Sequence, residues 1–174
     1  KLQISKFEFI ASGFNNEMTQ STLIIYTDGA ARGNPGRGGY GAILKWGAAE
    51  KEISQGYRLT TNNRMELMAV IAALEALTKN NMPVTIYSDS QYVVKAVKEG
   101  WLKKWIATDF KGGKKNKDLW KRYYQLSQKH SIQFVWVKGH ADNPYNNRCD
   151  ELATTAADGK NLLADEMYEN GIND

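Results

Sequence analysis

Residues 23–29 are Leu-Ile-Ile-Tyr-Thr-Asp-Gly, a run of strand-forming residues that ends directly in an acid and a glycine. The apolar part predicts a buried strand near the centre of a sheet. A carboxylate at the end of such a strand is costly to remove from water unless it is paired or bound to a metal ion. Asp28 is therefore either a candidate ligand or part of an Asp-Gly turn that closes a hairpin.

A stretch similar to the one that contains Asp28 occurs later in the chain. Residues 84–89 are Val-Thr-Ile-Tyr-Ser-Asp, and residues 60–63 between the two stretches cap a predicted helix over residues 64–79. A strand, a helix and a second strand form a crossover, which makes the two strands parallel neighbours. Asp28 and Asp89 then end side by side at the sheet edge where ligands bind. Their charges repel unless a cation or a proton lies between them.

Three further strands and four further helices complete the predicted elements. Strands are expected over residues 39–46, 51–59 and 131–137, the first two as an antiparallel hairpin. Helices are expected over residues 90–98, 101–105, 118–130 and 147–158. Five glycines within residues 33–41 predict a loop in which the backbone can approach a ligand closely.

Two more acids occupy the starts of predicted helices. Glu66 and Asp150 each fall in a first turn, where the helix dipole favours an anion. Glu66 also has the spacing of a capping box with Asn62 or Asn63, which would explain it without chemistry. If the four acids converge, their oxygens suit a pair of hard cations such as Mg²⁺ or Mn²⁺. Two such ions roughly 3.5–4 Å apart can activate water and stabilise the leaving oxygen in phosphodiester cleavage.

The charge distribution indicates a polyanionic partner. The net charge is +4, but residues 95–122 hold ten basic and three acidic side chains, which leaves the rest mildly acidic. Such a patch is typical of nucleic-acid binding, with a solvated helical face as the alternative. No apolar run approaches the roughly 20 residues that span a bilayer. The single cysteine, Cys149, has no partner for an internal disulfide. We therefore expect a cytoplasmic protein without a membrane partner.

A series of short segments occurs in one order between residues 23 and 157. They are Thr27-Asp-Gly, Gly33-Asn-Pro-Gly, Gly38-Gly-Tyr-Gly-Ala-Ile-Leu, Thr60-Thr-Asn-Asn-Arg-Met-Glu-Leu-Met-Ala, Ser88-Asp-Ser-Gln-Tyr-Val, Trp136-Val-Lys-Gly-His-Ala and Arg148-Cys-Asp-Glu-Leu-Ala. Any one of them alone is a weak signal. Together they resemble type 1 ribonuclease H of the bacterial kind.

The resemblance implies an α/β protein with the ribonuclease H-like fold. That fold is a five-stranded mixed sheet with helices on both faces, in which strands 1–3 are antiparallel and strands 4 and 5 run parallel to strand 1. The implied activity is sequence-nonspecific, endonucleolytic cleavage of the RNA strand of RNA–DNA hybrids, leaving 5′-phosphate and 3′-hydroxyl ends.

The resemblance also implies the catalytic residues. By motif, the ligands of two Mg²⁺ ions, for which Mn²⁺ can substitute, are Asp28, Glu66, Asp89 and Asp150. Asp28 is expected to bridge both ions. His140 is expected to assist proton transfer or product release, although a surface histidine needs no such role.

An RNA–DNA hybrid is the implied partner, and its RNA strand must be distinguished by the 2′-hydroxyl. Glycine backbone and short polar side chains can reach a shallow minor groove. The candidates are Gly29, Gly33, Asn34, Asn62 and Gln91.

The DNA strand requires contacts to phosphate and surfaces for stacking. Thr61 with Arg64 or Arg58 is a candidate phosphate pocket. The basic segment, defined as residues 95–122, resembles the family's basic protrusion, which holds the DNA strand, with Phe110 where a third tryptophan is expected. The candidates in this segment are Trp101, Lys104 and Trp105. Helix packing is the alternative for these aromatics, and we expect at least one to lie in the core.

The resemblance assigns residues 18–159 to a ribonuclease H domain. Because residue 1 is Lys and Met18 precedes the first strong strand, we expect residues 1–17 to be an extension or a cloning remnant. Residues 160–174 are expected to be a loosely held acidic tail, and the protein a monomer without an obligate protein partner. The alternatives are a nuclease of the same fold that acts on other nucleic acid, such as an integrase-like or Holliday-junction enzyme, a hybrid-binding module without catalysis, and a ribonuclease H domain of a reverse transcriptase. Four intact acids argue against the binding module, since binding phosphates favours fewer negative charges.

Overall fold

The structure is a computed structural model that describes residues 22–139 and 142–171. The predictions for residues 1–17 and for His140 lie outside these ranges. The strands are β1 (Leu23–Arg32), β2 (Gly36–Trp46), β3 (Ala49–Thr60), β4 (Pro83–Ser88), β5 (Ser131–Trp136) and β6 (Leu162–Leu163). The helices are α1 (Asn62–Glu75), α2 (Gln91–Lys98), α3 (Trp101–Ala107), α4 (Lys117–Ser127), α5 (Pro144–Asp158) and α6 (Glu166–Glu169). None of these helices has the length and apolar character required to cross a bilayer.

The sheet has the predicted topology with one addition. Its strand order is β5-β4-β1-β2-β3-β6. β1, β2 and β3 pair antiparallel, while β4 runs parallel to β1 and β5 runs parallel to β4. The prediction of a five-stranded mixed sheet is therefore confirmed. The two-residue strand β6 adds a sixth, parallel to the edge of β3.

Helices cover both faces of the sheet. A Cβ on Gly38 would lie 3.0 Å from the side chain of Met65 in α1, whereas one on Gly39 would meet the backbone of α5. Because successive residues of a strand point to opposite faces, α1 and α5 lie on opposite faces. The main core includes buried residues of α1 and the fully buried Leu23 and Ile25 of β1.

Most glycines of residues 33–41 belong to the sheet. β2 begins at Gly36, so four of the five are strand residues. A Cβ on Gly39 would lie 2.4 Å from the carbonyl oxygen of Ala153, and Gly41 is equally close to the α5 backbone. These glycines make room for a helix, and the prediction of a ligand-approaching loop is wrong for them.

The two helices that carry candidate acids begin earlier than predicted. α1 follows Thr61, whose Oγ1 accepts a hydrogen bond from the backbone N–H of Arg64 at 3.3 Å. α5 begins at Pro144. Glu66 and Asp150 therefore lie beyond the first turns, and the first-turn prediction is wrong for both. The capping-box interpretation of Glu66 is wrong for the same reason.

The aromatic residues of the basic segment divide between core and surface. Trp120 is fully buried, and half-buried Trp105 packs against it with ring centroids 5.8 Å apart. Phe110 is also buried. Trp101 remains exposed at the start of α3. The expectation that at least one of these aromatics lies in the core is confirmed.

The C-terminal segment, defined as residues 162–169, is attached to the domain. β6 pairs with β3, and buried Asp165 forms an ion pair with Arg64 at 2.6 Å. Glu169 pairs with Arg58 at 2.7 Å. The expectation of a loosely held tail is therefore wrong for this segment.

Candidate active site

Asp28 and Asp89 lie side by side on the sheet. β1 and β4 pair in parallel with Thr27 opposite Ser88, so an aspartate follows at the same level on each strand. This register brings the two aspartates side by side, as the repeated Ile-Tyr-Thr/Ser-Asp pattern predicts. Asp28 is still part of β1, whereas Asp89 directly follows β4.

Glu66 reaches the two aspartates because α1 lies directly against β1. A Cβ on Gly29 would lie 2.2 Å from the backbone nitrogen of Glu66, so a side chain at position 29 would push the helix away. The N–H of Gly29 donates to Oδ1 of Asp28 at 2.9 Å. Gly29 is buried, and its position suits orienting Asp28 better than contacting a 2′-hydroxyl.

Three carboxylates form a compact group, named here the acidic cluster. Asp28, Glu66 and Asp89 each place one oxygen within 4.8 Å of the others. Asp28 and Glu66 are buried, and Asp89 is half-buried. In the described part of the chain, the main charges acting on Asp28 and Glu66 are those of other acids.

Burial and mutual repulsion raise the pKa values of the buried acids. Burial, followed by the charges of Asp89 and Asp150, raises the pKa of Asp28 to about 8. Burial and the charges of Asp28 and Asp89 raise the pKa of Glu66 well above its ordinary value. Strongly raised pKa values in a group of acids are typical of functional sites, where a cation or proton relieves the repulsion.

The donor set fits a divalent metal ion. Among the described residues, Oε2 of Glu66 is the one buried side-chain polar atom without a hydrogen-bond partner. A buried carboxylate oxygen in this state is costly unless it binds a ligand. Carboxylate oxygens are the ligands that hard divalent cations prefer. Asp28, Glu66 and Asp89 are therefore the residues that would hold such an ion.

Asp150 and His140 stand apart from the acidic cluster. Asp150 on α5 is half-buried, and its charge acts on Asp28, but it is not among the three acids within 4.8 Å. His140 is outside the described residues. Its neighbour Gly139 is described, and a Cβ there would lie 2.6 Å from Oδ2 of Asp89. The loop that leads to residue 140 thus passes beside the cluster.

A groove lies between the start of α1 and the basic segment, with a cavity of about 480 Å³. Most of its lining residues are polar, aromatic or basic, and none of those in the described part of the chain is acidic. The lining residues include Asn34, Thr61, Tyr92, Trp105, Lys114 and Tyr168. Three of the predicted substrate residues, Asn34, Thr61 and Trp105, are thus together. Oδ1 of Asn34 also accepts a hydrogen bond from the N–H of Asn62 at 3.1 Å, which ties the turn after β1 to α1.

The other predicted contacts lie elsewhere on the surface. Those that are exposed outside the groove are Gly33, Gln91, Trp101 and Lys104. Gln91 borders a smaller cavity of about 250 Å³ with Trp136. The structure therefore gathers some of the predicted substrate residues and leaves the rest separate.

Arg64 does not fit the predicted phosphate pocket. Its side chain is 1% exposed, and its N–H groups donate to both carboxylate oxygens of Asp118 and of Asp165 and to Oδ1 of Asn116. These five hydrogen bonds use all five donors of a guanidinium. Burial alone would lower the pKa of Arg64, but the two aspartates raise it. Arg64 is a structural residue rather than a phosphate ligand.

Some groove residues have no clear signal in the sequence. Lys114 belongs to a Lys-rich stretch, so its charge is a usable signal. Asn116 adopts φ 63° just before α4, and Tyr168 comes from the C-terminal segment. No local pattern identifies these two, because only the tertiary fold brings their segments to the groove.

Comparison with known proteins agrees with the fold. Residues 20–158 match the model of the family described as RNase H. A ribonuclease H of Lachnoclostridium phytofermentans is 59% identical over 157 residues, covering 84% of this chain and 99% of that protein. The solved LC9-RNase H1, described as a type 1 RNase H with the type 2 active-site motif, is 26% identical. Its TM-score is 0.73, and the match covers 90% of this chain and 82% of that chain.

A second solved relative carries a nucleic acid. LC11-RNase H1 in complex with RNA/DNA hybrid is 28% identical with a TM-score of 0.61, covering 79% of this chain and 97% of that chain. The sheet, its helices and these matches define an α/β protein with the ribonuclease H fold. The chain belongs to the ribonuclease H family and is a ribonuclease H enzyme of the type 1, bacterial kind.

Proposed function

We propose that this enzyme hydrolyses the RNA strand of RNA–DNA hybrids without sequence preference, leaving 5′-phosphate and 3′-hydroxyl ends. The observation that carries the proposal is the acidic cluster with its unpartnered Glu66 oxygen, in a chain of this family. The proposed cofactor is two Mg²⁺ ions, with Mn²⁺ as a substitute. Their proposed ligands are Asp28, Glu66, Asp89 and Asp150. When bound, the ions supply positive charge at the reacting phosphate and activate the attacking water.

The chain's own contribution is to hold the carboxylates in place in advance. Asp28 sits on a strand paired on both sides, and its Oδ1 accepts from the Gly29 N–H. Glu66 is fixed by α1, which is buried from residue 64 to residue 74. Carboxylates on such rigid elements do not relieve their repulsion by moving apart. His140 is proposed to assist proton transfer or product release, because the preceding residue, Gly139, lies beside Asp89.

We propose that the hybrid lies across the acidic cluster and the groove, with the RNA strand at the cluster and the DNA strand in the groove. Lys114 and Lys115 line the groove and attract phosphates, while Trp105 offers an aromatic wall. Trp101 and Lys104 are exposed on α3 outside the groove and are proposed as further contacts to the DNA strand. Gly33, Asn62 and Gln91 are the proposed contacts to the RNA side, whereas Asn34 lines the groove.

A cleavage assay tests the proposed function. The protein is incubated with Mg²⁺ and a labelled RNA–DNA hybrid, and in parallel with the matched RNA and DNA duplexes. We expect cleavage of the RNA strand of the hybrid alone, no cleavage in EDTA, and none by Asp28→Asn. Equal cleavage of all three duplexes would overturn the proposal. Binding of the hybrid without cleavage would favour the binding-module alternative.

We also propose a cytoplasmic monomer. All four proposed ligands come from one chain, so the site needs no second copy. The single Cys149 is buried, so the fold does not depend on oxidation. Size-exclusion chromatography with light scattering tests the oligomeric state, and a stable dimer would contradict it.

A further inference from the structure

We propose that the C-terminal segment forms one wall of the groove and that the hydroxyl of Tyr168 donates a hydrogen bond to a phosphate of the uncleaved DNA strand. This inference rests on the proposed function and adds a substrate contact to it. It gives a role to a part of the chain for which the sequence predicts only a loosely held acidic tail.

Asp165 anchors the C-terminal segment. Asp165 is 8% exposed and accepts from Nε of Arg64 at 2.6 Å and from Nη2 at 2.8 Å. Its Oδ2 also accepts from Oγ1 of Thr60 at 2.7 Å. A carboxylate with three such bonds, two of them from a buried guanidinium, is held in one position. The segment is therefore fixed to the start of α1.

Arg64 also holds the opposite wall of the groove in place. Its other donors reach both oxygens of Asp118, at 2.9 and 2.7 Å, and Oδ1 of Asn116, at 3.3 Å. Asn116 lines the groove, and its amide donates to the hydroxyl of Tyr92, another lining residue, at 3.0 Å. One buried guanidinium thus links the C-terminal segment to the basic segment and sets the separation of the two walls.

Tyr168 belongs to the C-terminal segment and lines the groove. The ring lies 5.7 Å from Cζ of Arg64 and lines the groove together with Trp105 and Lys114. Within the described residues, its hydroxyl makes no hydrogen bond. A half-buried phenol that lines a lysine-bearing groove and has an unused donor is suited to an anionic oxygen.

The occupant follows from charge and from the cleaved strand. Among the described residues, the groove lining holds Lys114 and Lys115 and no carboxylate, so it suits a phosphate backbone. The RNA strand must lie at the acidic cluster to be cleaved, which leaves the partner strand for the groove. The contact is made before and after cleavage alike, so it affects KM rather than kcat.

The test compares Tyr168→Phe with Met167→Ala as a matched control. The phenylalanine keeps the ring over Arg64 and removes only the hydroxyl, while Met167 is an exposed neighbour that does not line the groove. We expect Tyr168→Phe to raise KM for the hybrid by about 3–10-fold, as for loss of one hydrogen bond, with kcat unchanged. Met167→Ala should match the wild type in both constants.

A second pair of measurements separates a substrate contact from a purely structural one. Asp165→Asn weakens the anchor, so in combination with Tyr168→Phe its effect on KM should be less than additive. A hybrid whose DNA strand carries methylphosphonates at the contacted positions should bind wild type and Tyr168→Phe equally. Thermal unfolding confirms that Tyr168→Phe is folded.

The outcomes distinguish this inference from the proposed function. If the wild type cleaves the hybrid and Tyr168→Phe has the same KM, the inference is overturned and the proposed function stands. A loss of kcat with unchanged KM also overturns it, because that pattern assigns Tyr168 no role in binding. A wild-type protein that neither binds nor cleaves the hybrid overturns both.

Discussion

Arg64 and Glu66 are buried two residues apart on α1. The charge of Arg64 is paired with nearby acids, whereas the charge of Glu66 has no basic partner among the described residues. Arg64 has all five donors satisfied by Asp118, Asp165 and Asn116. Glu66 keeps an unpartnered oxygen within the described residues and has acids as its charged neighbours. The same helix therefore shows that the fold can pair a buried charge. The unpartnered oxygen of Glu66 is consistent with the divalent metal site that we propose there.

The largest expected effect comes from removing the uncompensated charge. Glu66→Gln should lower kcat/KM for the hybrid by about 10³-fold or more, because a metal ligand contributes several kcal/mol to the barrier. The metal-free variant should nevertheless be at least as stable as the wild type, because repulsion with Asp28 and Asp89 is relieved. Cleavage kinetics measure the expected fall in kcat/KM, and urea denaturation measures the free energy of unfolding, which should not fall. A variant that is both active and less stable would assign Glu66 to the structure.

Removing the compensated charge should have the opposite pattern. Arg64→Ala leaves Asp118 and Asp165 without their buried partner and should lower the free energy of unfolding by about 3–5 kcal/mol. Arg64→Lys should recover only part of it, since an ammonium cannot form both forks. Urea denaturation measures these values. The folded fraction of Arg64→Ala should retain kcat, and loss of kcat there would contradict a structural role.

The pH dependence of the metal-free protein reports the acidic cluster directly. Burial and the neighbouring acids raise the pKa of Asp28 from 3.8 to about 8. The stability that a raised pKa contributes is present below pH about 4 and is lost as the pH rises through about 8. The unfolding free energy should therefore fall by about 3–4 kcal/mol between pH 5 and pH 8. Asp28→Asn should flatten this decline, and a decline of equal size in that variant would contradict the cause.

The smallest expected effect concerns the groove. Lys114→Ala should weaken hybrid binding by a similar factor for all sequences and reduce the slope of log Kd against log salt by about 1. Binding isotherms between low and moderate salt measure the slope. Lys51 on β3 lies outside the lining and serves as the matched control, with an unchanged slope expected for Lys51→Ala.

The sheet and the pair of aspartates could be predicted from the sequence because the signals are local or follow from topology. A strand–helix–strand crossover makes β1 and β4 parallel, and the repeated pattern then brings Asp28 beside Asp89. Glu66 is also in the right region, although α1 starts early enough that it is no capping residue.

The partners of Arg64 could not be predicted in the same way. In the sequence, a buried arginine looks like a surface one, and its partners Asp118 and Asp165 lie 54 and 101 residues away. The prediction of a ligand-approaching loop is wrong for the glycines of β2 for a related reason. Gly39 and Gly41 leave room for the backbone of α5, and only the packed structure shows which neighbour occupies the space.

The most direct test of the account is the stability of the metal-free protein at pH 8 as Mg²⁺ is added, at constant ionic strength. For the wild type, the unfolding free energy should rise by about 1.4 kcal/mol per bound ion for each tenfold increase in Mg²⁺ above that ion's dissociation constant. Glu66→Gln should show a much smaller rise, and Arg64→Lys should keep the wild-type slope. No rise for the wild type, or an equal rise for Glu66→Gln, would contradict a metal site built on the acidic cluster.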